Sequence, residues 1–483
     1  MGRKARIGLL CLAVSAALLL LCSQCSPLYP LNVWGDANCL LTVGRVMRAG
    51  GVVYRDIYEQ KGPTLYLIHA AAAWMAEGSF LGVYVLEVLS FAAALYGACR
   101  LLMRRVPKET ACALAALAGA CLLTGGAFSR GDSAEEFCLP YLMLALCCAF
   151  DAYGEGSAPM PAARLLACGL AAGMVATIKY TILGLFVGLC AAEGVMALRA
   201  GGWARALRSA GVFLAGMLLP VGLWCAYFAG HGALADFYTA YVHNNVFLYG
   251  DEARTAMDVL RDLYTTVRDN ALWALPAAAG MGAFLLDRRE RPALRLAVLG
   301  MAACAFASVY LLGRTWAYSP LTLGVFAFAG LGSLAARLIR RPLGARTRRL
   351  LAACGCALAV AAAVFLSPNA YLRGVSRDAL AQTRLAEYVH EGATLLQYSH
   401  LDDGLYLATG TLPQQKYFVR LNVQDEEMRA ELDRYVREAI PDYVLTAWSP
   451  LPEAFARYPL SATDAGYDDR NRINKPLYLY RRK

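Results

Sequence analysis

Apolar runs near the length that a bilayer demands leave this chain few choices of fold. A helix needs about 20 predominantly apolar residues to cross the hydrocarbon core. Runs near that length fall at residues 7–24, 80–103, 110–129, 137–150, 165–178, 182–198, 210–229, 271–286, 296–312, 316–336 and 350–366. They predict an α-helical polytopic membrane protein of about eleven spans. With 58% of its 483 residues hydrophobic and 17% charged, the chain does not read as a soluble enzyme.

A further apolar stretch, residues 64–76, has the length of an interfacial or re-entrant helix and is read as not crossing. Charge decides this. With a cytoplasmic N-terminus and eleven crossings, the inner connections collect 21 Lys and Arg, including Arg337, Arg340 and Arg341, against 10 in the outer loops. That obeys the positive-inside rule, and an additional crossing would invert every later loop. The net charge of +10 then belongs to the cytoplasmic face, beside anionic lipid, and implies no nucleic-acid partner. The CSQCSP segment after the first run lacks a small-residue cleavage site, so that run reads as a retained anchor.

The chain changes character after Leu366. Residues 1–366 form the membrane part, with an outer loop at 29–63 and the interfacial helix at 64–76. Residues 367–483 carry 15 basic and 16 acidic residues and no run long enough to span. An odd number of crossings places this tail outside, as a small extracytoplasmic α/β domain. Strands are expected at TLLQYS, GLYLAT, KYFVRL, YVLTAW and PLYLYR, and helices at Asp378 to His390 and Asp425 to Ala439. The tail has no GxGxxG or Walker pattern. Most of the 16 Cys lie inside spans, where a thiol acts as a small hydrophobe, and the CxxC pair Cys22 and Cys25 ends a membrane helix. The five His, among them His69, show no metal-ligand spacing.

Unusual polar residues gather on the outer side. The first loop holds Asp36, Arg45, Arg48, Arg55, Asp56, Glu59 and Lys61. The second, RGDSAEEF, holds Arg130, Asp132, Glu135 and Glu136. The long loop from His231 to Asn270 adds the run HNNVFLYGDE. For most of these a solvated surface is the plain alternative. Lys179 and Arg314 differ, because each sits in a short turn between spans, at a depth where an unpaired charge is costly. An enzyme acting on a lipid-linked substrate must hold a phosphate at headgroup level with fixed cations, which Lys179 and Arg314 can supply. It must also place a carboxylate to take a proton from an incoming hydroxyl, which Asp36 can supply.

The arrangement resembles the multi-spanning GT-C glycosyltransferases, the group that includes protein O-mannosyltransferases and bacterial aminoarabinose transferases. The matching residues are Asp36 after the first span, YRDIYEQKGP at Tyr54 to Pro63, RGDSAEEF at Arg130 to Phe137, and IKYT at Ile178 to Thr181. The resemblance implies inverting transfer from a polyprenyl-phosphate sugar to an acceptor hydroxyl on a glycan, lipid or protein. Asp36 would be the general base, and a second-loop acid would assist acceptor or metal. Glu135 and Glu136 stand ahead of Asp132 for that role. Lys61, Lys179 and Arg314 would bind the lipid phosphate, with Arg55, Asp56, Glu59, Arg130 and Asp132 in support. The chain departs from the group in reading Lys61-Gly62-Pro63 where two consecutive prolines are usual, and in carrying three second-loop acids. A divalent cation stays open, because members of the group differ in using one.

A transporter or lipid-carrier flippase is the alternative, with the intramembrane acids Glu87 and Glu193 and the cation Lys179 lining a pathway. The spans show no inverted repeat, and a transporter does not require a tail of 117 residues. A membrane scaffold would not explain the acid-rich first loop.

Overall fold

The computed structural model describes residues 2–154, 156, 159–248, 254–338, 344–423, 425–468 and 471–483. Arg340 and Arg341 of the inner charge run, and Tyr249 to Glu252 of the HNNVFLYGDE run, lie outside the described residues.

The first half alternates long apolar helices with short ones. Helix α1 (Arg3–Cys22) is followed by α2 (Gly35–Arg48) and α3 (Pro63–Met75), then by α4 (Leu81–Leu102), α5 (Lys108–Leu123), α6 (Ala134–Tyr153) and α7 (Ala162–Lys179). After a 3-10 turn at Tyr180–Leu183 come α8 (Gly184–Gly230), α9 (Leu234–Phe237), α10 (Ala256–Asp269), α11 (Ala271–Leu285), α12 (Pro292–Tyr310), α13 (Val325–Leu338) and α14 (Ala345–Leu366). Among the described residues seven stretches are long and apolar enough to cross a membrane, and one of them, Ala162–Gly230, runs for 69 residues. That stretch is three helices. It breaks at the 3-10 turn and again at Gly201–Gly202, where Gly202 takes φ +64°, a conformation that glycine adopts without steric cost. Together with the shorter α5 and α11, these segments account for all eleven apolar runs. The chain is a multi-pass membrane protein.

Residues 64–76 form α3 almost residue for residue. It begins with Pro63 at its first position, where the missing N–H costs nothing. The first loop contains a helix that its charges conceal, because α2 buries ten of its 14 residues, Arg45 among them. The long loop is also largely helical: it holds α9, a π-helical segment at Tyr238–Leu248, and α10, which opens with a capping box between Thr255 and Asp258. Glu193, considered above as a pathway acid, is held by the hydroxyls of Tyr153 and Ser209 and the Met160 N–H, at 2.8 to 2.9 Å.

The tail forms one sheet of four strands, β1 (Leu395–Gln397), β2 (Tyr443–Ala447), β3 (Leu460–Tyr467) and β4 (Ile473–Arg481), in the order β1-β2-β4-β3. Strand β1 runs parallel to β2, with Leu395 opposite Tyr443, and the other pairs are antiparallel. Helices α15 (Ala381–Ala386), α16 (Leu405–Thr409) and α17 (Glu426–Arg437) pack around it.

Two expected strands are absent. GLYLAT is α16, bounded by Gly404 and Gly410 at φ +86° and +74°, and it buries the consecutive side chains of Leu405, Tyr406 and Leu407. KYFVRL joins no ladder because its backbone is divided among partners: the Lys416 carbonyl accepts from Tyr58 N–H in the first loop, the Phe418 carbonyl from Gln397 N–H, and Arg420 N–H donates to the His400 carbonyl. The helix expected at Asp378 to His390 is reduced to a 3-10 turn and α15.

Candidate functional site

The site begins with a glycine. Gly62 N–H donates to the Ile178 carbonyl at 3.0 Å, and a Cβ at position 62 would lie 2.1 Å from the Thr177 carbonyl oxygen. A proline there could neither donate nor fit, which accounts for the Lys61-Gly62-Pro63 departure. The contact sets the start of α3 against the end of α7 and so brings Lys61 and Lys179 to the same place.

Both lysines find acids. Lys61 Nζ donates to Asp36 Oδ1 at 2.9 Å and to Glu59 Oε1 at 3.2 Å, while Lys61 N–H donates to Glu59 Oε2 at 2.9 Å. Burial alone would lower the Lys61 pKa, but Asp36 and Glu59 outweigh it and hold the ammonium well above its ordinary value. Asp36 stands in the first turn of α2, where the helix dipole favours a carboxylate. Lys179 Nζ donates to Glu135 Oε1 at 2.6 Å, and Glu135 Oε2 is buried without a hydrogen-bond partner among the described residues.

Aromatic rings join these pairs. Lys179 lies 5.1 Å from the centre of the Tyr318 ring, and Lys61 is close enough to feel the same tyrosine. Tyr318 meets Trp34 edge-on at 5.2 Å, Trp34 being the residue before α2. Arg314 lies over Trp316 at 4.5 Å, and Trp316 stacks on Tyr318 at 6.4 Å. Asp36, Glu59, Lys61, Glu135, Lys179 and Arg314 therefore surround one run of rings.

The remaining candidates lie elsewhere. Glu136 points the other way from Glu135: its Oε2 accepts from Asp132 N–H at 3.1 Å, beside Glu87. Glu87 accepts from Ser23 Oγ and from Asp132 N–H at 2.8 Å. Asp132, at φ +63°, accepts from His69 Nε2 at 2.7 Å with both side chains fully buried. Burial pushes the Asp132 carboxyl up, and Asp132 in turn holds the His69 imidazole above its usual range against the opposing effect of burial. Gly131 permits this packing, since a Cβ there would meet Ser23 Oγ at 2.5 Å. Arg130 reaches the tail, donating to the Asp468 carbonyl at 2.9 Å and to Asn471 Oδ1 at 2.7 Å. Arg55 and Asp56 pair on the surface, and Arg55 also donates to the His231 carbonyl.

Among the described residues no group of three or more His, Cys, Asp or Glu is placed to hold a metal ion. The acids nearest the rings, Asp36, Glu59 and Glu135, each have a lysine partner.

The comparisons extend this picture. No protein-family model and no curated protein matches the sequence. Among solved structures, apo ArnT from Cupriavidus metallidurans matches over 98% of this chain and 97% of its own, with a TM-score of 0.61 at 14% identity. The same protein bound to undecaprenyl phosphate matches over 99% and 98%, with a TM-score of 0.62 at 13% identity. The fold is that of these ArnT structures. The likeness runs through the tail as well as the membrane part, so the shared fold covers the chain from end to end.

Several residues near the site escaped the sequence. Nothing in the spacing of Trp34, Trp316 and Tyr318 shows that their rings meet. His69 was set aside for want of a metal pattern, yet its place in α3 opposite the second loop makes it the partner of Asp132. Arg45 looked like a surface charge. Its signal was its position within a helix whose neighbours are apolar.

Proposed function

We propose that this protein is a membrane glycosyltransferase that moves a sugar from a polyprenyl-phosphate donor to an acceptor hydroxyl at the extracytoplasmic face, with inversion. The observation that carries this reading is the convergence of Lys61 and Lys179, set by the bond from Gly62 to Ile178, on one aromatic platform beside Asp36. Two ammonium groups at a helix junction suit a phosphate at headgroup level. The GT-C fold, shared with a protein solved with undecaprenyl phosphate, supports the same donor class.

In this mechanism the donor phosphate draws Lys61 and Lys179 from their acids, with Arg314 beside them. Release of Lys61 leaves the Asp36 carboxylate available to an acceptor hydroxyl. The hydroxyl oxygen attacks the anomeric carbon from the face opposite the phosphate, its proton passes to Asp36, and the bond from carbon to phosphate oxygen breaks with its electron pair leaving on the lipid phosphate. Glu135, released from Lys179, is the second-loop acid nearest this chemistry. Glu136 and Asp132 act through the buried cluster that shapes the loop.

Membranes containing the protein, incubated with radiolabelled polyprenyl-phosphate sugars, should transfer label out of the lipid for at least one donor. Label that stays on every lipid while crossing the membrane would indicate a flippase. The face is tested separately: tags at Pro107 and Lys483 should report opposite sides, cytoplasmic and extracytoplasmic. Both tags on one side would remove the site from the outer face.

A further inference from the structure

Beyond the Trp316 ring lies a cavity of about 150 Å³ that the transfer chemistry does not use. One wall is a face of α10 carrying Asp262, Thr265 and Asp269, residues spaced to lie side by side on a helix. The second is Thr315 and Trp316, and the third is Gly126 in the turn after α5. These walls are tied together. Arg254 donates to the Gly313 carbonyl at 2.6 Å and to Thr315 Oγ1 at 2.7 Å while its other nitrogen pairs with Asp262. Gly126 N–H donates to the Asp269 carbonyl at 3.0 Å, and Asn270 Oδ1 accepts from Ala127 N–H at 2.8 Å. The cavity is thus a built pocket.

Its lining narrows the ligand. Carboxylates accept hydrogen bonds, the Thr265 and Thr315 hydroxyls, which already donate to the Arg261 and Val309 carbonyls, accept as well, and an indole offers an apolar surface to ring C–H groups. An acyl chain would bury Asp262, Asp269 and the threonine hydroxyls against hydrocarbon. A phosphate would face Asp262 and Asp269, and a bare cation would find those acids already paired with Arg254 and Arg268. A neutral ring bearing many hydroxyls can donate to the carboxylate and threonine oxygens and lay its C–H groups against the apolar part of the lining. The volume falls below the roughly 300 Å³ at which drug-sized sites begin, so it suits one ring.

We propose that this pocket is a monosaccharide subsite. It rests on the glycosyl-transfer reading only for whose sugar it holds. The Trp316 and Tyr318 rings connect it to Trp34, two residues before Asp36, so the occupant is either the donor sugar or a sugar unit of a glycan acceptor.

Methyl glycosides of neutral hexoses provide the probe, with saturation-transfer NMR on the detergent-solubilised full chain as a readout that needs no turnover. Wild-type protein should transfer saturation to at least one glycoside. Thr265→Phe, which fills the pocket, and Asp269→Asn, which removes an acceptor paired only with the surface residue Arg268, should weaken that binding about tenfold or more. In a transfer assay, a raised KM for the donor alone assigns the pocket to the donor sugar, and a raised KM for the acceptor alone assigns it to the acceptor. Glycoside binding lost in both variants supports the subsite even if no donor is ever turned over. No glycoside signal in the wild type, or a signal undiminished in both folded variants, overturns it.

Discussion

Asp36 and Lys61 share a 2.9 Å hydrogen bond with side chains only 16% and 14% exposed. The pair holds a carboxylate out of bulk water, and it ties the availability of that carboxylate to whatever anion draws the lysine away.

Asp36→Asn keeps the size of the side chain but removes the proton acceptor. Insertion and donor binding should stay near normal, and transfer should fall at least about a hundredfold. A variant that retains more than half of wild-type transfer would exclude Asp36 as the base.

Lys179 and Glu135 allow two effects to be separated. Lys179→Ala should weaken donor use about tenfold or more, by the loss of a charge-assisted contact. It should also destabilise the protein by about 3–5 kcal/mol, because Glu135, 2% exposed, is left charged and alone. Adding Glu135→Gln should restore thermal stability but leave donor use impaired. Recovery of both would mean that Lys179 serves only to neutralise Glu135.

Gly62→Ala removes no polar group and keeps the N–H that donates to Ile178. Its Cβ would still collide with the Thr177 carbonyl, at a cost of about 1–3 kcal/mol, and would part Lys61 from Lys179. A lowered melting temperature with transfer reduced about tenfold or more is expected, and unaltered transfer would show that the α3 to α7 junction does not set the site.

Burial raises the Asp402 carboxyl from 3.8 to about 6, against hydrogen bonds from Thr42 Oγ1 and Gly404 N–H. The folded state therefore holds this proton more tightly than the unfolded chain. The contribution of Asp402 to stability is complete below about pH 4, falls as pH rises through about 6, and is constant above; a displacement of this size corresponds to about 3 kcal/mol. Thermal melts of the wild type and Asp402→Asn across pH 4 to 7 should converge or diverge over that window alone. Parallel curves would show that Asp402 titrates normally.

Much of the membrane part was legible because length and hydropathy leave a bilayer segment little choice. Residues 64–76, too short to cross, form α3, and every apolar run finds a helix. The tail was less legible. GLYLAT and KYFVRL look like strands by composition, but two left-handed glycines close the first into α16, and the first loop takes a carbonyl of the second. Strand β3, LSATDAGY, was invisible because it is polar and gains its place from β4 rather than from its own side chains. In the site, Asp36, Lys61, Lys179 and Glu135 could be singled out as charges that a membrane protein does not place idly. Their pairing could not, since it depends on a backbone contact between Gly62 and Ile178. The same holds for Glu136, whose neighbour in sequence faces the rings while Glu136 itself turns towards Glu87.

Arg45 donates to the carbonyls of Tyr406, Gly410 and Thr411, and Gly35 lies against Leu401. The helix that carries Asp36 is therefore finished by residues translated more than 350 positions later. A nascent chain paused after its last apolar run has every hydrophobic helix it needs and no partner for Arg45, so synthesis itself imposes a delay. Helix α2 gains its last partners only when the final hundred or so residues have emerged and folded onto it.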